Sequence, residues 1–160
     1  MKDLVAIAEQ IAAKLIERRQ TIAVAESSTG GLISASLLAV PGASAYFLGG
    51  AVVYTRDARR ILMDIPDEAM KGIRSASEPY AKLLASQMRK RFATDWGLSE
   101  TGATGPTGNR YGDAAGHSCI GIAGLEPSAM TLETGSADRV ANMHEFASTA
   151  LKLMLQNLTK

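Results

Sequence analysis

The chain has little that would support disulfides, membrane insertion or export. It holds one cysteine, Cys119, among 160 residues, and aromatic side chains make up 5%. A single cysteine excludes an intrachain disulfide and fits a reducing compartment, and its strand-like neighbours favour a buried, inert thiol. No apolar run is long enough to cross a bilayer, and the charged, amphipathic segment 1–19 differs from a signal peptide. We therefore expect a soluble, cytoplasmic protein without a membrane partner.

The sequence also lacks a strong charge of either sign and a metal-ligand pattern. The formal net charge is +1, so no broad positive field favours nucleic acid. We expect the basic run 89–91 to lie on a solvated helix face. The two histidines, the cysteine and the nearby acids do not have a metal-ligand spacing. The expectation is a protein without metal, organic cofactor or nucleic-acid partner.

What the sequence does contain is a regular alternation of helical and strand patterns. Apolar residues recur at helical spacing over 3–19, 30–39, 57–63, 77–92 and 138–157. Strand patterns cover 21–25, 46–55, 96–101, 117–124 and 129–134. This order predicts an α/β fold, a three-layer α/β/α sandwich with a mainly parallel mixed sheet. The length favours one domain spanning residues 1–160.

Three polar loops each follow a predicted strand. They are Glu26 to Gly31, Tyr54 to Arg60 and Gly102 to Gly116, the first and third rich in glycine. Ligands of open α/β sheets bind beyond the carboxyl ends of the strands. We therefore expect the three loops to converge on one site at one end of the sheet.

The first loop combines hydroxyl groups with glycines at a strand-to-helix junction. Ser27, Ser28 and Thr29 can donate hydrogen bonds to a phosphate or carboxylate, or one of them can act as a nucleophile if a base takes its proton. Gly30 and Gly31 allow a ligand to approach the backbone. In the alternative interpretation, Ser28 or Thr29 only caps the following helix.

Two further candidates have equally simple alternatives. Glu26 can orient Ser27 or accept N–H groups of the helix. In the long loop, Arg110 can clamp a phosphate, although such a surface loop can equally be a flexible flap.

Six segments resemble, in order, the CinA C-terminal domain family. They are AESSTGGL (25–32), VPGASAYF (40–47), VVYTRDARR (52–60), SASEP (75–79), TGATGP (101–106) and ADR (137–139). The resemblance runs from about residue 5 to 155 and implies a three-layer α/β/α sandwich. Members of the family include bacterial nicotinamide mononucleotide deamidases.

The resemblance implies hydrolysis of the nicotinamide amide, giving nicotinic acid mononucleotide and ammonia. Ser27 matches the nucleophile of the family, and position 59 matches its lysine base, which is aided by the match to Tyr54. Thr29 would assist, and the N–H groups of Gly30 and Gly31 would hold the oxyanion. The TGATGP motif adds Thr101, Gly102, Thr104 and Gly105 as substrate-binding candidates.

This chain departs from the family pattern at several of the implied site positions. Position 59 is arginine, which can bind an anion but cannot lose its proton and serve as a base. We expect Arg59, Arg110 and Arg139 to hold phosphate. Serine replaces cysteine at position 28, and Met143 and His144 stand where the family tends to carry further arginines. The family's K-P-V-G-T stretch is DAAGH here, residues 113–117.

These departures leave three hypotheses open. The chain can be a deamidase with a rearranged base, for which His117 is the best candidate because imidazole titrates near neutrality; alternatively His117 is a strand-end histidine bonded to backbone. It can hydrolyse a related amide, with Asn109, Arg110 and Asp113 reshaping specificity. It can also be a binding or interaction module that has lost catalysis. A homodimer fits a domain of this size, although no residue indicates an interface.

Overall fold

A computed structural model describes residues 1–160 and contains five α-helices and five strands. The helices are α1 (Lys2–Arg18), α2 (Leu32–Leu38), α3 (Arg56–Met63), α4 (Glu78–Phe92) and α5 (Arg139–Leu158). The strands are β1 (Ile22–Glu26), β2 (Phe47–Val52), β3 (Trp96–Ala103), β4 (His117–Ala123) and β5 (Ser128–Glu133). Short 3-10 turns cover Ala43–Ala45 and Asp67–Met70. No helix is both long and apolar enough to cross a membrane.

The strands form one mixed sheet in the order β2-β1-β3-β4-β5. β1 pairs in parallel with β2 and β3, whereas β4 is antiparallel to both β3 and β5. Four strands therefore run in one direction and only β4 is reversed, which confirms the mainly parallel mixed sheet. The carboxyl ends of β1, β2 and β3 lie at one edge, where the three polar loops begin.

Helices cover both faces of the sheet. One layer contains α1, α2 and α5, whose apolar stripes pack with the sheet into a cluster of 20 buried residues. The other layer contains α3 and α4, and its cluster of eight buried residues includes Tyr80, Leu84 and Met88 from α4. The three-layer α/β/α sandwich predicted from the periodicity is confirmed.

Local sequence explains where several elements begin. β1 reads IAVAE and is buried at every position, as expected of a central strand covered on both faces. Ser77 caps α4 by accepting a hydrogen bond from the Tyr80 N–H. Just before it, Ala76 has a φ of 53°, in the left-handed region that residues other than glycine seldom adopt.

Two strands run further than the sequence pattern predicts. β1 includes Glu26, one residue past its predicted end, and β3 runs two residues past its predicted end at 101, to Ala103. In the parallel register of β1 and β3, Glu26 lies beside Glu100. Both side chains are completely buried. The end of the sheet that faces the polar loops therefore contains two adjacent carboxyl groups.

Candidate active site

A cleft of about 540 Å³ lies at the carboxyl ends of the parallel strands. The three polar loops meet around it. Among the residues proposed from the sequence, the lining includes Ser27, Tyr54, Arg59, Thr101, Gly102 and Arg110. The other lining residues include Arg56, Asp67, Arg74, Tyr80 and Tyr111. We refer to residues 27–31, which connect β1 to α2, as the Ser27 turn.

The carboxylate of Glu100 holds the Ser27 turn from beneath. Its Oε2 atom accepts hydrogen bonds from the N–H groups of Ser27 at 3.1 Å and Thr29 at 3.0 Å. Its Oε1 atom accepts from the hydroxyls of Ser28 at 2.5 Å and Ser118 at 3.1 Å. Burial raises the pKa of Glu100, against the lowering effect of these hydrogen bonds. No salt bridge offsets its charge.

Glu26 holds the other side of the same turn and the start of α2. Its carboxylate accepts hydrogen bonds from the N–H groups of Gly31 at 2.8 Å, Ile33 at 3.1 Å and Ser34 at 2.9 Å. The Thr29 hydroxyl lies 2.7 Å from Glu26 and 3.1 Å from the Glu100 carboxylate. Glu26 thus satisfies donors that a helix start leaves unpaired. Of the two interpretations of Glu26, the structure shows the acceptor of helix N–H groups.

Only one backbone N–H between residues 27 and 34 has no acceptor in the protein. It belongs to Ser28. The Gly30 N–H donates to a carbonyl oxygen within the turn at 3.1 Å, and the Gly31 N–H donates to Glu26. The amides predicted to hold the oxyanion are therefore already engaged. The available donor is the N–H that directly follows Ser27.

The three hydroxyls of the turn are in different situations. Ser28 and Thr29 are buried, do not line the cleft, and use their hydroxyls on Glu100 and Glu26. Both hydroxyls thus support the turn, and their role as substrate donors stays a prediction. Ser27 lines the cleft, and its hydroxyl makes no hydrogen bond within the protein. The turn leaves one hydroxyl open to a ligand.

Arg59 is buried and paired with an acid that the sequence analysis did not identify. Its guanidinium forms a salt bridge with Asp67, from the 3-10 turn after α3, and lies 3.4 Å from the Ile65 carbonyl oxygen. Asp67 also forms a salt bridge with Arg56 at 2.5 Å, and the hydrogen bonds from Arg56 hold the pKa of Asp67 below its usual range. Arg59 therefore already has an anionic partner, and its contact with phosphate stays a prediction.

His117 is also fully engaged. Its Nδ1 lies 2.5 Å from Glu133, and its Nε2 lies 2.7 Å from the Ala76 carbonyl oxygen. Burial lowers its pKa, but the hydrogen bonds to Glu133 and Ala76 and the charge of Asp113 outweigh burial and raise the pKa overall. No hydrogen bond joins it to Ser27, and it does not line the cleft. These contacts fit the interpretation of a strand-end histidine bonded to backbone, and the role of His117 as base stays a prediction.

The last helix contacts Tyr54, a lining residue of the cleft, through Arg139. Its guanidinium donates to the Gly105 carbonyl oxygen at 2.5 Å and to the Tyr54 hydroxyl at 3.2 Å. Since the Tyr54 oxygen accepts this bond, the proton of Tyr54 is free for another partner. Arg139 has no acidic partner. Thr104 is buried, outside the lining, and its carbonyl oxygen accepts from Asn142 at 2.9 Å.

Arginines dominate the remaining walls of the cleft. Arg110 stacks over the Tyr111 ring at 5.1 Å, and it has no acidic partner. Its hydrogen bond to the Tyr111 hydroxyl lowers the pKa of that phenol. Arg74 lies 5.3 Å from the same ring and pairs with Asp113 at 2.7 Å. We call the four lining arginines, 56, 59, 74 and 110, the arginine wall.

Sequence reasoning missed Glu100, Asp67 and Tyr111. A glutamate within the apolar strand pattern WGLSE was the available signal for Glu100, because a buried acid needs several donors. No comparable local signal marks Asp67, whose partners come from another element. No group of three His, Cys, Asp or Glu side chains lies close enough to hold a metal ion.

Comparisons with known proteins identify the family of this chain and several of its relatives. A model of the CinA C-terminal domain matches residues 4–158. A CinA-like protein of Chlorobaculum tepidum is 36% identical over 159 residues, which cover 96% of this chain and 38% of that protein. A CinA-like protein of Chlorobium limicola is 36% identical over 149 residues, covering 90% and 35%. The chain therefore spans little more than a third of the length of these relatives.

Solved structures agree on the fold. A CinA superfamily protein from Klebsiella pneumoniae superposes with a TM-score of 0.91 over 98% of both chains at 21% identity. The competence/damage inducible protein CihA of Agrobacterium tumefaciens gives a TM-score of 0.89 at 26% identity, covering 99% of this chain and 96% of that one. With the family model matching almost the whole sequence, the chain belongs to the CinA C-terminal domain family.

Proposed function

We propose that this chain is an amidohydrolase that removes the amide nitrogen of a pyridine nucleotide such as nicotinamide mononucleotide, with Ser27 as nucleophile. The observation that carries the proposal is the Ser27 turn. Two buried carboxylates hold the turn, and it presents one unengaged hydroxyl beside one unengaged N–H. Burying two carboxylates without a cation is costly, and costly local arrangements are typical of functional sites.

The walls of the cleft support an anionic ligand of nucleotide size. Four arginines and one aspartate line a volume of about 540 Å³. Arg110 has no acidic partner, and guanidinium groups bind phosphate through paired hydrogen bonds. Arg139, also without an acid, lies beside Tyr54 at the edge of the cleft. We assign the ligand phosphate to these two arginines rather than to Arg59.

In the proposed reaction, the Ser27 oxygen attacks the amide carbonyl carbon. The developing oxyanion accepts a hydrogen bond from the Ser28 N–H, the position that serves in other hydrolases. Tyr54 gives its own proton to the departing nitrogen and takes the proton of Ser27 in its place, so the C–N bond breaks, ammonia leaves and the phenol is unchanged. Water then hydrolyses the Ser27 ester, giving the free carboxylate and restoring the hydroxyl.

A second candidate function is a binding module without turnover, and the Arg59–Asp67 pair favours it. Arginine cannot act as the base at this position, and no lysine or histidine lines the cleft. The same walls would still hold a phosphorylated ligand. In this alternative, the Ser27 hydroxyl contributes a hydrogen bond to the ligand instead of attacking it.

Ammonia release and ligand binding, measured on the same preparations, separate the two candidates. We would assay nicotinamide mononucleotide with the wild type, Ser27→Ala, Arg59→Lys and the matched control Ser128→Ala, whose serine is exposed at the start of β5. Turnover that is lost only in Ser27→Ala supports the hydrolase. Binding without turnover in the wild type, with activity gained in Arg59→Lys, supports the binding module. If the wild type shows no binding and no turnover, both candidate functions are contradicted.

A further inference from the structure

The proposed reaction gives no role to the buried carboxylate of Glu100, although this group holds the turn that carries the nucleophile. The one buried polar residue lining the groove between α4 and the β4–β5 connection, Thr94, already donates its hydroxyl to the Trp96 carbonyl oxygen, and both ring nitrogens of His117 have partners. Glu100 contacts three consecutive residues of the Ser27 turn and lies next in sequence to Thr101, which lines the cleft.

We propose that Glu100 is a positioning residue that must be ionised for the Ser27 turn to adopt its working geometry. The inference rests on the proposed function of Ser27 as nucleophile. Oε2 accepts two backbone N–H groups, one on each side of Ser28, and so fixes the peptide that carries the free N–H. The same contacts fix the direction in which Ser27 leaves β1.

The chemistry of the partners explains the need for ionisation. N–H groups can only donate, so Oε2 must remain an acceptor. The partners of Oε1 are two hydroxyls, Ser28 and Ser118, which can donate to a carboxylate or accept from a protonated acid. If Oε1 were protonated, the hydrogen bond between Ser28 and Oε1 would reverse its direction, with the Ser28 oxygen as acceptor. The charge-assisted hydrogen bonds that orient the turn would then be weaker.

The surroundings of Glu100 make its protonation accessible. Burial raises its pKa, and the bonds from Ser28, Thr29, Ser27 and Ser118 lower it. From β1, Glu26 shares the Thr29 hydroxyl with Glu100. From β4, the titratable groups are His117 and Cys119, whose side chains bond to Ala76, Glu133 and Thr131 instead. The packed helices α4 and α5 place no cation or acid in hydrogen-bond contact with Glu100.

Glu100→Gln tests the proposal, because glutamine has the shape of the protonated acid and cannot ionise. We expect kcat for the nucleotide amide to fall about 100-fold, the scale of a misplaced reacting group, with KM changed less than threefold. The fall of kcat at acid pH, which we expect in the wild type as Glu100 is protonated, should be absent in Glu100→Gln. The matched control is Glu145→Gln, on the exposed face of α5, which should retain wild-type kcat and the wild-type profile.

Ser28→Ala sharpens the test. Since the Ser28 hydrogen bond lowers the pKa of Glu100, removing it should move the acid limb to higher pH while activity persists above it. An unchanged limb in Ser28→Ala, or full activity in Glu100→Gln, would overturn the proposal.

A readout without turnover distinguishes failure of this inference from failure of the proposed function. Carbon-13 NMR of labelled glutamate carboxyls should show a resonance that is absent in Glu100→Gln and that titrates above the ordinary range of glutamate. Amide hydrogen exchange over residues 27–31 should be faster in Glu100→Gln than in the wild type. In the wild type it should become faster as the pH falls and the Glu100 carboxylate is protonated. If these changes occur in a protein that releases no ammonia, the positioning role stands and the hydrolase fails. Equal rates of amide hydrogen exchange over residues 27–31 in the wild type and in Glu100→Gln would refute the positioning role.

Discussion

The two sides of the cleft solve opposite electrostatic problems. The Ser27 turn surrounds the anionic side chains of Glu26 and Glu100 with N–H and hydroxyl donors, and no cation takes part. The arginine wall carries an excess of cations, and Asp67 and Asp113 neutralise only some of them. Neutral donors fix an anion in one geometry, whereas ion pairs near solvent exchange partners and are screened by salt.

The difference separates the two tasks of the proposed site. Short, directed hydrogen bonds to buried carboxylates suit the turn, where an attacking hydroxyl must be held in one direction. Partly exposed charges suit the wall, where a phosphate must enter and leave. Four substitutions test whether the two sides are specialised in this way.

Removing a carboxylate from the turn should have the largest effect. Glu26→Ala leaves the N–H groups of Gly31, Ile33 and Ser34 without their acceptor. Unpaired buried donors cost roughly 1–3 kcal/mol each, so we expect the free energy of unfolding to fall by about 3 kcal/mol or more. Urea denaturation measures it, with Glu9→Ala, exposed on α1, as the control. A loss below about 1 kcal/mol would show that the turn does not depend on its carboxylates.

Removing an unpaired cation from the wall should affect binding and leave folding nearly unchanged. Arg110 bonds only to the Tyr111 hydroxyl, so Arg110→Ala should weaken binding of nicotinamide mononucleotide about tenfold, the scale of a hydrogen bond to a charged group. Calorimetry at 50 mM and 500 mM salt checks it, because the loss should shrink at high salt. Lys152→Ala, which removes an exposed charge on α5, controls for net charge. Equal losses in both variants would exclude a specific contact.

Removing the acid from the wall should have a smaller effect in the opposite direction. Asp67→Asn removes the negative charge that Arg56 and Arg59 share. The Arg56–Asp67 pair is exposed, and exposed ion pairs are worth up to about 1 kcal/mol, so we expect inorganic phosphate to bind about threefold more tightly once Arg56 is released. Asp57→Asn, which removes an exposed acid paired with Arg60 at the start of α3, is the matched control. Unchanged or weaker binding in Asp67→Asn would show that the freed arginines do not face the ligand.

The smallest effect is a pH dependence of stability from His117. Its pKa is raised in the folded protein above 6.5, so the protonated form is favoured by folding. The stabilisation is therefore present below pH 6.5 and is lost as the pH rises through the folded value. Glu133→Gln removes the strongest raising contact and should shift this loss to lower pH, which denaturation at several pH values measures. An unshifted curve would show that Glu133 does not stabilise the imidazolium.

Much of the fold was accessible from the sequence because apolar periodicity reports burial directly. The five helices and five strands lie close to their predicted positions, and the IAVA run of β1 reads as a buried strand without further information. The end of β1 was missed for a physical reason, because the strand continues to Glu26, a residue type that is seldom fully buried. β3 was predicted through Glu100 to residue 101 and runs two residues further, to Ala103.

The site was less accessible because its contacts join distant parts of the chain. Whether Ser27 or Ser28 faces the cleft depends on the register that places Glu100 beneath the turn, 72 residues from Ser28. A hydroxyl-rich motif identifies the turn but does not say which hydroxyl is engaged. Arg59 is a second example of this limit. Its residue type shows that it cannot be a base, but only the structure shows that its guanidinium forms a salt bridge with Asp67.

The most direct test of the central claim is to trap the ester that Ser27 would form. The wild type would be mixed with nicotinamide mononucleotide, quenched in acid within milliseconds and analysed by mass spectrometry of the tryptic peptide spanning residues 20–56. We predict that the peptide gains the mass of the acyl group, that fragmentation places it on Ser27, and that Ser27→Ala abolishes it. Turnover with an unmodified peptide, or with the acyl group on Ser28, would contradict the account.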